Sequence, residues 1–256
     1  MTIDSQTSSR TSRGLTAPGR DITAPGKHIT TPEKAFRGAL CLAALLAAAL
    51  PAVALLAPTE ATMGDAQRIV YLHVPLAWLG LLGLLTMAGA GLMYLARRNL
   101  AWDQWSQAAA ELGWLCCSLT LVTGSLWAHE AWGTWWTWEP RLTSAFILWM
   151  IYSGYFILRG QLDDPHRRAR LSTVFAVVGA MDVPLVIVAA HWFRGIHPAA
   201  APMEPAMRAV LWCSVAGFTG LFLVLLTCRR WQLQWQTFLE LCEQPIVQPD
   251  LERRMQ

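Results

Sequence analysis

Charge is what this chain has least of. Only 14% of its 256 residues are Asp, Glu, Lys or Arg, against about 25% in soluble domains, while 54% are apolar and the mean hydropathy is +0.35. That excludes an ordinary soluble enzyme. The net charge of +3 is too small and too scattered for a nucleic-acid binder. The six cysteines, Cys41, Cys116, Cys117, Cys213, Cys228 and Cys242, include no CxxC pair and fall mostly in apolar runs. Neither a zinc site nor a disulfide framework follows from such spacing. Tryptophan, by contrast, is abundant at 14 residues, more than core packing asks for.

Residues 1–35 are basic and rich in Ser, Thr, Pro and Gly, with a short imperfect repeat, TAPGRDIT then APGKHIT. They carry too little apolar surface to offset the entropy of ordering them, and read as a disordered cytoplasmic tail. Gly38 to Thr59 is a run of 22 uncharged residues, enough for the ~20 that a helix needs to cross the hydrocarbon. A cleaved signal peptide is the competing reading of this run; the long preceding region and Pro58 beside the best small-residue cut site disfavour it. Five more spans follow, near Ile69–Ala96, Leu112–Ala128, Leu142–Leu158, Leu171–Ala190 and Ala209–Cys228. The expected fold is therefore all-α: a polytopic membrane protein built as a bundle of six transmembrane helices over residues 36–230, with a C-terminal segment at 231–256.

Orientation follows from the basic residues, which are retained on the cytoplasmic side. Six lie before span one (Arg10, Arg13, Arg20, Lys27, Lys34 and Arg37), Arg97 and Arg98 follow span two, Arg159, Arg167, Arg168 and Arg170 follow span four, and Arg229, Arg230, Arg253 and Arg254 follow span six. Only Arg68, Arg141, Arg194 and Arg208 fall to the other side. Six spans then put both termini in the cytoplasm and turn the loops near 60–72, 127–142 and 191–208 outward.

The middle outward loop, WAHEAWGTWWTWEPRLTS from Trp127 to Ser144, holds five tryptophans within twelve residues. Trp132, Trp135 and Trp136 stand at i, i+3 and i+4, so a short Trp-rich helix on the periplasmic membrane surface would show them on one face. An aromatic belt at the headgroup level is the alternative. It leaves unexplained the density on one side and the Glu139-Pro140-Arg141 that follows. A broad aromatic platform beside a cation suits a flat apolar ligand with an anionic edge.

The other outward loops supply histidines at the membrane boundary: His73 in RIVYLHVPLAW, and His191 and His197 in HWFRGIHP. Two imidazoles from separate loops can hold a haem iron from both faces, and Arg suits the propionates. His191 is the rival to His197. His28 and His166 fall in the tail and a cytoplasmic loop, and His129 adjoins Glu130. Asp182 lies inside span five, where a charge is costly; it is either functional or satisfies backbone groups freed near Pro184.

With these motifs in place, the chain resembles a known family, the haem-handling C protein of the bacterial cytochrome c maturation system (CcmC), which carries a "WWD" signature. The resemblance rests on WGTWWTWEPRLTS (Trp132 to Ser144), RIVYLHVPLAW (Arg68 to Trp78) and VPLVIVAAHWFRGIH (Val183 to His197), and covers about residues 36 to 230. It implies that His73 and His197 are axial ligands of a non-covalently held haem b. It further implies that Trp132, Trp135, Trp136 and Trp138, in a binding segment that includes Gly133 and Glu139, contact the porphyrin, and that Arg68 and Arg141 hold propionates or shape the pocket. The implied setting is the bacterial inner membrane and its lipid. The implied partners are the periplasmic haem chaperone CcmE and an ATP-driven complex of CcmA and CcmB with the small protein CcmD. The chain departs from the family pattern at Glu139, where the signature has aspartate, and at Pro198 after His197.

The leading expectation is thus a non-enzymatic haem-transfer protein delivering haem to CcmE. Its rivals are a lyase acting directly on apocytochrome c, a haem transporter or exporter subunit, and a b-type electron carrier. The lack of a large outward domain disfavours the lyase, and the crowding of suggestive residues at the outer boundary disfavours a midplane transport site.

Overall fold

A computed structural model describes residues 33–61, 63–192 and 203–254. Residues 1–32 of the tail expected to be disordered lie outside them, and its last three residues open the first helix. Seven helices follow in order: α1 Glu33–Leu56, α2 Val70–Arg97, α3 Leu100–Trp132, α4 Pro140–Gly160, α5 Pro165–Ala180, α6 Asp182–Trp192 and α7 Pro205–Arg254, with a short 3-10 turn, Asp65–Ile69, leading into α2. Six helical stretches are long and apolar enough to cross a membrane: 36–56, 65–97, 100–132, 140–160, 165–188 and 205–242. This is the six-span all-α bundle that the apolar runs imply, and the chain is a multi-pass membrane protein.

Helix α2 is the centre of the bundle and packs against α3, α5 and α7. Its partnership with α3 begins at a tight reversal: Arg98 takes the left-handed conformation (φ 52°) and caps α2 through its N–H to the Tyr94 carbonyl. Asn99 then opens α3, its side chain accepting from the Ala101 amide at 2.9 Å. Along the interface small residues let the backbones close up, as they do between helices in lipid; a Cβ on Gly83 would stand 2.8 Å from the Gly113 Cα. Tyr152 of α4 wedges into this seam, fully buried, and donates to the Gly80 carbonyl at 2.8 Å.

Three elements differ from the expected spans. Helix α3 begins at Leu100, three turns before the uncharged run at Leu112, because its early charges are paired: Asp103 with Arg159, and Glu111 with Arg229. Arg159, expected in a loop, is accordingly buried in the last turn of α4. Span five is two helices. Met181 separates α5 from α6, and Pro184, which has no N–H, leaves the Ala180 carbonyl without an i+4 donor and ends α5 there. Asp182 is buried at this break. Span six continues without interruption into the C-terminal segment.

The Trp-rich surface helix is the remaining difference. Helix α3 runs on through Trp132 and stops at Gly133 (φ 69°), whose N–H caps the His129 carbonyl. The left-handed backbone there favours glycine and cannot continue a helix. Residues 134–139 are irregular, and Pro140 starts α4 at its first position. The tryptophans after Gly133 are therefore distributed over both sides of a crossing segment rather than along one helical face.

Candidate functional site

At the end of the bundle that carries the Trp-rich segment, α2, α3, α4 and α6 enclose a cavity of about 310 Å³. Its walls include His73 and Trp78 from α2, Thr120, Leu121, Gly124, Ala128 and Trp132 from α3, Trp136 and Glu139 from the crossing segment, Arg141, Leu142 and Ala145 from α4, and Val186 from α6. Thr120, Gly124, Ala128 and Trp132 recur every four residues, so one stripe of α3 lines the cavity with small side chains and closes it with an indole. The volume lies at the lower end of the range of small-molecule sites.

His73 stands in the first turns of α2 and is buried. Its Nδ1 lies 3.1 Å from the Thr123 Oγ1. Gly124 makes room for the ring: a Cβ there would be 2.8 Å from the imidazole Cε1. Trp127 tilts against His73 at 6.2 Å between ring centroids, and Trp132 against Trp127 at 5.3 Å, so the imidazole opens a continuous aromatic wall.

A second, mostly aromatic and aliphatic depression of about 530 Å³ lies on the other side of Trp136, between α3 and α4. It is lined by Leu121, Val122, Ser125, Leu126, Trp135, Trp136, Trp138 and Phe146. Val122, Leu126 and Trp138 are exposed there, as expected of a lipid-facing flank. Trp135 is held in place from both sides: it stacks on His129 at 4.0 Å, and its carbonyl accepts from the Ser125 hydroxyl at 2.8 Å. Trp136 meets Trp138 edge to face at 5.6 Å. With Leu121 and Ser125 of α3, its indole forms the partition common to the two cavities.

The structure thus brings His73, Trp132, Trp136, Glu139 and Arg141 to one cavity and leaves Trp135 and Trp138 on its outer flank. Gly133 serves the α3 terminus. Arg68 lies outside the cavity wall; its Nε is 3.2 Å from Asp65 and its guanidinium donates to Thr59 at 3.3 Å. His197 falls outside the described residues, and of His191 only the backbone in α6 is described. Sequence reasoning missed Thr120, Thr123, Gly124 and Ala128. Their signal was present as small and hydroxylic residues at helical spacing inside an apolar run, but nothing local marks which face of α3 meets His73. Among the described residues the chemistry on offer is one imidazole, one carboxylate and one guanidinium, with the hydroxyls of Thr120 and Ser125, in a largely apolar, indole-walled slot.

Comparison with known proteins gives the family of the chain. A family model described as "Heme exporter protein C" (CcmC) matches residues 20–238. Proteins of that name are 38% identical over 149 residues in Bradyrhizobium diazoefficiens (58% of this chain, 57% of the relative), 36% over 180 residues in Rhodobacter capsulatus (67% and 74%) and 34% over 170 residues in Escherichia coli K12 (63% and 68%). The chain therefore spans little more than half of the first relative and about two thirds to three quarters of the other two.

Proposed function

The chain belongs to the CcmC family, and from that footing we propose that it binds haem as cargo at the outer face of the bacterial inner membrane and hands it to the chaperone CcmE during cytochrome c maturation. In this reading both termini are cytoplasmic, and the chain works in an ATP-driven assembly with CcmA, CcmB and CcmD. It handles its cargo without covalent chemistry of its own.

One observation carries the reading: the imidazole of His73, the indoles of Trp132 and Trp136 and the charged groups of Glu139 and Arg141 line a single apolar cavity. A flat porphyrin needs an axial donor, aromatic faces and a cation for its propionates, and this lining has the residue types for all three. His73 supplies one axial nitrogen. The second donor comes from the connection between α6 and α7, His197 by family resemblance. Arg141 engages a propionate, and Arg68 acts nearer the rim. Trp132 and Trp136 cover the ring, while Trp135 and Trp138 hold the crossing segment at the bilayer surface.

Transfer needs a site that grips without trapping. The crossing segment 134–139 is irregular backbone between the glycine-capped end of α3 and the proline that starts α4, so its displacement opens the slot while α2 and α3 stay fixed. Because Trp136 is the part of the partition that the crossing segment carries, the same displacement widens the passage between the two spaces.

The test is haem content. The full chain purified from haem-replete cells is expected to carry low-spin haem, and His73→Ala and His197→Ala are each expected to lower its occupancy and alter its spectrum. Wild-type occupancy and spectrum in both variants would remove the proposal.

A further inference from the structure

Resting on the proposal that His73 donates to haem iron, we propose that Thr123 is a positioning residue for that donation: it fixes the proton on Nδ1 of His73 and so presents the Nε2 lone pair to the metal. The Thr123 hydroxyl has one hydrogen. It is directed back along α3, to the Leu119 carbonyl at 2.7 Å, with the Thr120 carbonyl at 3.3 Å. Both acceptors belong to the same helix and neither can donate. The oxygen that faces His73 Nδ1 at 3.1 Å is therefore an acceptor, and Nδ1 must be the donor.

In a neutral imidazole that assignment leaves the lone pair on Nε2. Histidines that bind metals commonly donate their other N–H to a fixed acceptor, which sets the tautomer, orients the ring and raises its basicity. Thr123 is itself buried, so water does not compete for the bond. Gly124 completes the seat. A Cβ at that position would stand 2.8 Å from Cε1 and 3.3 Å from Nδ1 of His73, so the ring lies directly against the α3 backbone with its Nδ1 edge toward Thr123. The two adjacent residues act differently: Gly124 allows the approach, and Thr123 decides which nitrogen carries the proton.

The experiment uses the full chain purified with haem, in wild-type, Thr123→Val, Thr123→Ser, Thr123→Ala and His73→Ala forms. Two quantities are read: the rate at which haem passes to excess apomyoglobin, and the midpoint potential of the bound haem. Thr123→Val keeps the shape and removes the acceptor. It is expected to release haem roughly ten- to a hundredfold faster, the range for loss of such outer partners of metal ligands, and to raise the potential because the imidazole is less basic. Thr123→Ser is expected to restore both quantities to near wild type, which a merely space-filling residue would not require. Thermal unfolding of each variant accompanies the readings, and Thr123→Ala replaces Thr123→Val should the latter not be recovered folded. Wild-type release rate and potential in the variants lacking the hydroxyl, alongside loss of haem in His73→Ala, would overturn the role of Thr123 alone. Unchanged haem in His73→Ala would instead remove the ligand assignment, and this inference with it.

Discussion

Arg159 closes on Asp103 through both terminal nitrogens, Nη1 to Oδ1 at 2.7 Å and Nη2 to Oδ2 at 3.0 Å, and the same Nη2 reaches Gln107 Oε1 at 2.8 Å. Both side chains are only 8% exposed. This fork joins α3 to α4 at the end of the bundle away from the crossing segment 134–139 and holds the two helices whose opposite ends frame the cavity. Removing one partner strands a buried charge, and Asp103→Ala is expected to cost about 3–5 kcal/mol. The apolar pair Asp103→Leu with Arg159→Met is expected to recover most of that, as buried ion pairs replaced by apolar neighbours commonly do. Denaturant unfolding in detergent, followed by helical circular dichroism, measures both.

The seat of His73 makes a second prediction. Gly124→Ala adds a methyl 2.8 Å from the imidazole, closer than real Cβ contacts run, so the ring must move. Bound haem is expected to fall at least severalfold while helix content stays unchanged. Visible absorption of the purified variant reports it, and full occupancy would show that His73 tolerates displacement.

The tryptophans are expected to be unequal. Trp136 walls both cavities, whereas Trp138 is 73% exposed. Trp136→Ala is expected to weaken haem retention about tenfold, or 1.4 kcal/mol, and Trp138→Ala by less than about twofold, near the limit for an exposed ring. Competition for haem with apomyoglobin ranks the two variants. An equal loss in both would place the cargo on the outer flank.

Orientation is checked by labelling. Cys242 is exposed near the distal end of α7, on the side rich in arginine. A membrane-impermeant maleimide is expected to reach it only after cells are permeabilised, while a cysteine introduced in place of Thr134 is expected to react in intact cells. Labelling of both from outside would contradict the charge rule as applied here.

Much of this architecture was legible before any coordinates. Apolar runs gave six crossings because the cost of placing polar backbone and side chains in hydrocarbon is paid residue by residue along the chain. Their true lengths were hidden. Glu111, Arg159 and Arg229 stand just outside the uncharged runs and so marked their limits, but Glu111 is paired with Arg229 and Arg159 with Asp103, each on another helix, and a pair formed in space leaves no mark on a local window. Pro184 announced the break in span five, since the missing N–H is a property of the residue itself. Gly133 equally carried the end of α3, but the i, i+3, i+4 spacing of Trp132, Trp135 and Trp136 pointed to a helix that the left-handed glycine forbids.

The residues of the site divide in the same way. Composition and spacing alone determined that histidine, indole and arginine gather at one boundary of a helical membrane bundle, because hydropathy, charge retention and motif order are one-dimensional. The tertiary structure decided which of them face one another. It set Thr123, fifty positions from His73 along the chain, beside the imidazole, and it turned Trp136 inward and Trp138 outward. Those choices depend on the rotation of α3 about its own axis and on the path of six residues between Gly133 and Pro140, and both are fixed by packing against α2 and α4 rather than by anything the neighbouring residues spell.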